Sequence, residues 1–246
     1  MKLYPAIDIK NGQCVRLRQG QFQDIDIYSQ NPAQVAATWE SQGASYIHLV
    51  DLDGALAGHG MNDEVIKEIA STVKVPIQVG GGIRSIKDID HKLNLGVNRV
   101  IIGTKAVENP QFVREIISKF GADKIVIGID AKSGMVAIEG WEKVSNYNAV
   151  SLALKMKEMG VLNIVYTDIS KDGMLAGPNV EHTKEMVDVT GLNIIASGGV
   201  SCMKDLEALN EIRVSGAIIG KALYEKRIQL DQAVALFEKN EHSERG

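Results

Sequence analysis

Cysteine is nearly absent from this sequence. Its two cysteines, Cys14 and Cys202, lie far apart with no second cluster of ligating side chains beside them. Neither a disulfide framework nor a zinc site is expected, and a reducing compartment, the cytoplasm, fits. No stretch reaches the ~18 consecutive apolar residues of a membrane helix. Met1-Lys2-Leu3-Tyr4-Pro5, with Asp8 close behind, lacks the apolar core of a secretory leader. No basic run stands out against a net charge of −4, so nucleic acid is not an expected partner. A P-loop, a nucleophile elbow and a Gly-x-Gly-x-x-Gly fingerprint are all missing, which makes cofactor-free chemistry the economical reading. His59, His91, His182 and His242 share no metal-ligand spacing, and no metal is expected.

What is present is a glycine turn that occurs twice. Gly80-Gly81-Gly82-Ile83-Arg84 follows the apolar run Val75–Val79, and Ser197-Gly198-Gly199-Val200 follows Leu192–Ala196. Each is followed by a polar stretch and then Ile-Ile-Gly, ending at Gly103 and Gly220, both at an offset of 117 (197 − 80; 220 − 103). Glycine permits close backbone approach, and a glycine turn entering a helix presents free N–H groups and a positive dipole end to phosphate. Two such turns in one chain imply a small molecule with a phosphate at each end.

Apolar runs at Leu3–Ile9, Tyr46–Asp51, Val75–Val79, Asn98–Ile102, Lys124–Asp130, Leu162–Thr167, Asn193–Ala196 and Ser215–Ile219 predict eight strands. They are apolar throughout rather than alternating, as in a parallel sheet covered on both faces. Between them, capping residues and periodicity predict helices over 32–42, 62–72, 85–95, 109–120, 146–159, 178–190, 203–209 and 230–237. Cys14–Arg18 reads as a hairpin return after the Asn11-Gly12 turn, Gly20–Ser29 as a polar loop, and Ala131–Ser145 as a long loop holding Trp141. The charged tail from Glu238 is expected to fray. Eight alternating units in 246 residues predict a single (β/α)₈ barrel, with an open doubly wound sheet as the alternative.

The duplication favours the barrel. Ile7-Asp8-Ile9-Lys10-Asn11-Gly12 matches Ile129-Asp130-Ala131-Lys132-Ser133-Gly134, and Asp51–Gly58 matches Asp168–Gly177 with two residues inserted. Half-barrels of about 1–123 and 124–237 follow. In such a barrel the C-terminal strand ends converge on the mouth, so Asp8 and Asp130 face each other across it. Gly81, Gly82, Arg84, Gly103 and Thr104 then form one phosphate cradle; Ser197, Gly198, Gly199, Gly220 and Lys221 form the other. Two facing carboxylates suit acid–base work on a substrate held between them, although a lone Asp at a strand end also serves as a helix cap. Thr167 and Asp172, at the end of the sixth strand, can assist a second proton transfer, or Asp172-Gly173 is an ordinary turn. Trp141 either closes over a flat ring or packs its own loop. Arg16 and Arg18 bind phosphate or carboxamide, or merely decorate the hairpin. His48 either reaches the mouth or is a satisfied interior histidine.

Pro5-Ala6-Ile7-Asp8, His48–Ala55, Gly80–Arg84, Gly140-Trp141, Thr167-Asp168-Ile169 with Asp172-Gly173, and Ser197–Val200 resemble the phosphoribosylformimino-aminoimidazole carboxamide ribotide isomerase family of histidine biosynthesis. The resemblance runs from Leu3 to about Leu230. It implies a cofactor-free Amadori rearrangement of a bis-phosphate aminoaldose to an aminoketose; apart from the resemblance, a monomer is expected. Asp8 would be the general base and Asp130 the general acid, with Asp172 the alternative donor of the first proton. Some relatives also act on phosphoribosylanthranilate. The sister barrel, a cyclase that works with a glutaminase, resembles Pro-Cys-Leu-Asp with a lysine eight residues beyond the aspartate; Ala6 and Arg16 stand in those places here. A phosphate-ligand sensor without catalysis is the remaining alternative.

Overall fold

The structure, a computed structural model, describes residues 1–18, 21–138, 141 and 143–238. The chain begins β1 (Lys2–Lys10), β2 (Gln13–Arg18), β3 (Gln21–Ser29), α1 (Pro32–Ser41), β4 (Ile47–Asp51), α2 (Leu52–Ala57), α3 (Asp63–Thr72) and β5 (Ile77–Gly80). Next come α4 (Ile86–Asn94), β6 (Arg99–Ile102), α5 (Thr104–Glu108), α6 (Pro110–Phe120), β7 (Ile125–Lys132), β8 (Met135–Ile138) and β9 (Lys143–Asn148). It ends with α7 (Ala149–Glu158), β10 (Asn163–Asp168), α8 (Val180–Thr190), β11 (Asn193–Ser197), α9 (Met203–Glu211), β12 (Gly216–Ile219), α10 (Lys221–Tyr224) and α11 (Leu230–Phe237).

Strands β1, β4, β5, β6, β7, β10, β11 and β12 pair in parallel in that order, and β12 closes back onto β1 through Lys2–Gly216 and Pro5–Ile219. This is a (β/α)₈ barrel. Both faces of each strand are covered, which explains the uninterrupted apolar runs: Leu3, Ile7, Ile47, Leu49, Ile77 and Val79 are all buried toward the helices. The helices start where their caps place them. Asn31 and Asn109 accept from Gln34 and Phe112 ahead of Pro32 and Pro110, and Ser85 forms a capping box with Asp88. Among the described residues no helix is long and apolar enough to cross a membrane.

Three expectations about the loops are corrected. Gly20–Ser29 is not a loop from residue 21 on, because β3 adds an antiparallel edge to β2. Ala131–Ser145 is largely strand: β8 returns antiparallel on β7 as a second hairpin, and β9, paired with β8, takes residues 146–148 from the expected helix, which starts at Ala149 with Asn148 as its cap. The signal for this hairpin was in the repeat. Asp8–Val15 and Lys10–Gln13 pair across Asn11-Gly12 as Asp130–Ala137 and Lys132–Met135 pair across Ser133-Gly134. All four turn residues have positive φ, the two-residue turn that matches strand twist. Short helices α2, α5 and α10 were also missed, since none is long enough to show periodicity. Glu238 is tied down, accepting from the Leu3 N–H at 2.6 Å. The remainder of the expected tail, and Gly140 of the Gly140-Trp141 pair, lie outside the described residues.

One buried ionic cluster braces the loop between β4 and α3. Asp51 is fully buried and accepts from the N–H groups of Gly54, Met61 and Asn62 and from the Asn62 side chain. Lys92 of α4, 1% exposed, reaches Asp51 at 3.5 Å and Asp63 at 2.5 Å. Asn62 therefore does not cap α3 with its side chain; it is spent on Asp51 and Asp53.

Candidate active site

A cavity of about 310 Å³ opens at the C-terminal ends of the barrel strands. Asp8, Arg16, His48, Asp130, Trp141, Thr167 and Asp172 line it, with both glycine turns; the side chain of Arg18 lies outside those described. Arg84, Thr104 and Lys221 lie at its walls, and Lys105, which the sequence did not single out, joins them. Lys105 has no counterpart in the repeat, since Ala222 stands 117 residues on; the pattern that found its neighbours could not find it.

Gly81, Gly82, Gly198 and Gly199 all have left-handed φ, between 70° and 103°. The expected reason for glycine, room for a ligand, is not the operative one here. A Cβ on Gly81 would fall on the carbonyl of Asp51, and one on Gly198 would lie 2.7 Å from that of Asp168. Each turn is pressed onto the last residue of the preceding strand, so glycine is required by the protein's own backbone. Gly103 differs: it lines the cavity, and a Cβ there would meet nothing within 4 Å. Its partner Gly220 faces Arg16, whose Cζ would sit 2.8 Å from a Cβ. The two cradles thus share a backbone plan and differ in what fills them.

Arg16 is neither decoration nor a free anion receptor. Its Nη1 donates to Asp8 at 2.7 Å, its Nη2 donates to the Ala6 carbonyl, and its guanidinium lies over the Tyr224 ring at 5.2 Å. Burial pushes the Asp8 carboxyl up, against the opposing pull of Arg16. Asp130 is likewise raised by burial, but hydrogen bonds from Trp141, whose Nε1 donates at 2.8 Å, and from Thr167 favour its ionised form. Trp141 therefore reaches the site through Asp130. Asp172 is pushed up to about 6, by burial first, then by the charges of Asp8 and Asp130, with Arg16 opposing. Three carboxyl groups thus share one cavity with unequal affinities for a proton. His48 is buried, its Nδ1 2.8 Å from Gln78 Nε2; burial and then the cations Arg16 and Arg99 hold it down at about 3, so the ring is neutral.

Residues 2–229 match the family model described as "Histidine biosynthesis protein". The chain belongs to the histidine biosynthesis protein family. Members similar to it carry the name 1-(5-phosphoribosyl)-5-((5-phosphoribosylamino)methylideneamino)imidazole-4-carboxamide isomerase. One from Lachnoclostridium phytofermentans is 82% identical over 97% of this chain and 100% of its own length. That of Alkaliphilus metalliredigens is 53% identical over 94% of this chain and 97% of its own. The protein from Acetivibrio thermocellus is 50% identical, covering 95% and 98%. The cavity described above lies wholly within the span that this family shares.

Proposed function

We propose that this chain is the histidine-biosynthesis isomerase that converts a bis-phosphate aminoaldose, the compound in its relatives' names, to the aminoketose. The relatives' names contain two phosphoribosyl groups, one at each end of an imidazole carboxamide. The observation that carries the reading is a single cavity with a glycine cradle on each of two walls and three carboxyl groups between them. Cradles after β5 and β11, on opposite sides of the eight-strand barrel, suit a ligand with a phosphate at each end; the carboxyl groups meet its reacting sugar.

The rearrangement needs an acid and a base, and the site offers both. Asp172, the carboxyl raised to about 6, gives its proton to the ribose ring oxygen. The ring C1–O bond breaks and C1 becomes doubly bonded to nitrogen. Asp8 takes the proton from C2, and the released electron pair forms C1=C2 while the nitrogen regains its lone pair. Reprotonation at C1 and loss of the enol proton give the ketose, with no net change in atoms. Asp130 is better suited to stay ionised beneath Trp141 and Thr167, steadying the developing cation, than to serve as the acid. Everything used comes from one chain, so the proposed unit is the monomer. Cys14 and Cys202 are free thiols, in keeping with the cytoplasm.

The test is to incubate purified protein with the aminoaldose and follow its conversion, with and without a glutaminase and ammonia. Stoichiometric isomerisation without either is expected; release of two products with ammonia would make the protein a cyclase instead. Because Asp172 must hold its proton, kcat/KM is expected to fall above pH about 6, roughly tenfold per unit, in a pH–rate profile. In the Asp172→Asn variant the residual rate loses that limb. Gly103→Ala is expected to raise KM about tenfold with kcat and Tm little changed, since its methyl projects only into the cavity. An unchanged KM would remove Gly103 from the cradle.

A further inference from the structure

The repeat is broken at one layer inside the barrel. At the offset of 117, His48, Gln78 and Arg99 of the first half correspond to Val165, Ile195 and Gly216 of the second. The first three form a connected polar chain. Arg99 Nε donates to Gln78 Oε1 at 2.9 Å, and the other end of that amide lies 2.8 Å from His48 Nδ1. Arg99 is itself held by a hydrogen bond to the Tyr4 hydroxyl at 2.9 Å and by the Tyr46 ring, 4.7 Å away. In the second half Val165 and Ile195 fill the same layer with buried apolar side chains. Packing alone therefore does not call for a polar chain here, and a buried one is costly unless every member is satisfied.

The chain has one direction. A guanidinium can only donate, so the Gln78 atom beside Arg99 is its oxygen and the atom beside His48 is its amino group. An amino group can only donate in turn, so His48 Nδ1 is an acceptor and carries no proton. Neutral imidazole then bears its proton on Nε2. That nitrogen has no partner among the described residues and is not one of the buried unpartnered atoms, so it opens onto the cavity that His48 lines.

We propose that Gln78 and Arg99 are positioning residues that fix His48 as an Nε2–H donor, so that an oxygen acceptor of the substrate, hydroxyl or carboxamide, is read on one side of the mouth. Val165 offers nothing of the kind on the opposite wall. His48 thereby adds a directional contact between the ends of the bis-phosphate, beside the differences between the cradles at Gly103, Lys105 and Gly220. This rests on the cavity being the isomerase site, but the proton's position on His48 does not.

Histidine ¹⁵N NMR on the substrate-free protein tests that position directly, with the His48 signals assigned by loss in His48→Gln. The expected pattern is an Nε2–H tautomer that does not titrate between pH 5 and 8. A proton on Nδ1, or titration in that range, overturns the proposal without touching the assignment of function. Gln78→Glu places an acceptor opposite Nδ1 while keeping the Arg99 contact. It should move the proton to Nδ1 or charge the ring, and raise KM about tenfold with a smaller change in kcat. Arg99→Lys, which still donates to Gln78, should retain the wild-type tautomer. If Gln78→Glu moves the proton and KM stays the same, His48 does not read the substrate. If it does not fold, the wild-type spectrum still decides the tautomer, and Arg99→Met, expected to let the amide turn and mix the tautomers with a raised KM, decides the role.

Discussion

Replacing Asp8 by Asn is expected to lower kcat by about a thousandfold while KM changes by less than about threefold. The amide oxygen can still accept from Arg16, which donates to Asp8 at 2.7 Å, so the local geometry survives. What is lost is the ability to take a proton from carbon, the step for which no other group at that position is available. A second consequence follows from the electrostatics of the cavity. The charge on Asp8 is part of what pushes Asp172 up to about 6, after burial. Without it Asp172 ionises at lower pH, so the basic limb of the residual activity should move downward, in the same sense as its neighbour's lost charge. Steady-state kinetics over a pH series measures both effects. Near-normal kcat in Asp8→Asn would remove Asp8 as the base; an unmoved limb would show that the limb belongs to a group other than Asp172.

Lys92→Met is expected to destabilise the protein by about 3 kcal/mol, a drop of about 6–12 °C in Tm for a chain of this size. Lys92 is 1% exposed and lies between Asp51, which is fully buried, and Asp63. Methionine fills the volume, so the loss is that of the cation, and it leaves the Asp51 carboxylate buried with hydrogen bonds but no counter-charge. The damage should reach function, because the Asp51 carbonyl is the surface against which Gly81 turns. Lys184→Met provides the comparison. Lys184 and Asp188 form an i,i+4 pair in which both side chains are 55% exposed, and its loss should cost less than about 1 kcal/mol. Urea titrations of the two variants side by side measure the difference. Equal losses would show that the cluster under the first cradle carries no special weight.

Much of this molecule is legible along the chain because its signals are local or repeated. Unbroken apolar runs mark the eight barrel strands, and Asn31, Ser85 and Asn109 mark helix starts by chemistry confined to one turn. The duplication then turns isolated matches into geometry: Asp8 and Asp130 at equivalent strand ends, two glycine turns at one offset. Where the reading failed, the signal was short or masked by polarity. Alternation in Asp24-Ile25-Asp26-Ile27 was the trace of β3, and Ser133-Gly134 was the trace of the second hairpin. Asp130 shows what a repeat leaves out. At strand ends Asp130 and Asp8 look alike, yet in the fold Asp130 accepts from Trp141 while Asp8 accepts from Arg16.

Sequence by itself determined the barrel, its twofold plan and the side chains that meet at its mouth, because hydrophobic period and repeat spacing do not depend on what lies across the sheet. Tertiary structure alone decided which partners and charges surround each carboxyl group, why glycine is needed at Gly81 and Gly198, and how Arg99 and Gln78 meet His48. Those properties depend on desolvation and on contacts between residues far apart in the chain. Arg99 and Tyr4 meet although 95 residues separate them, and no local pattern records such a pair.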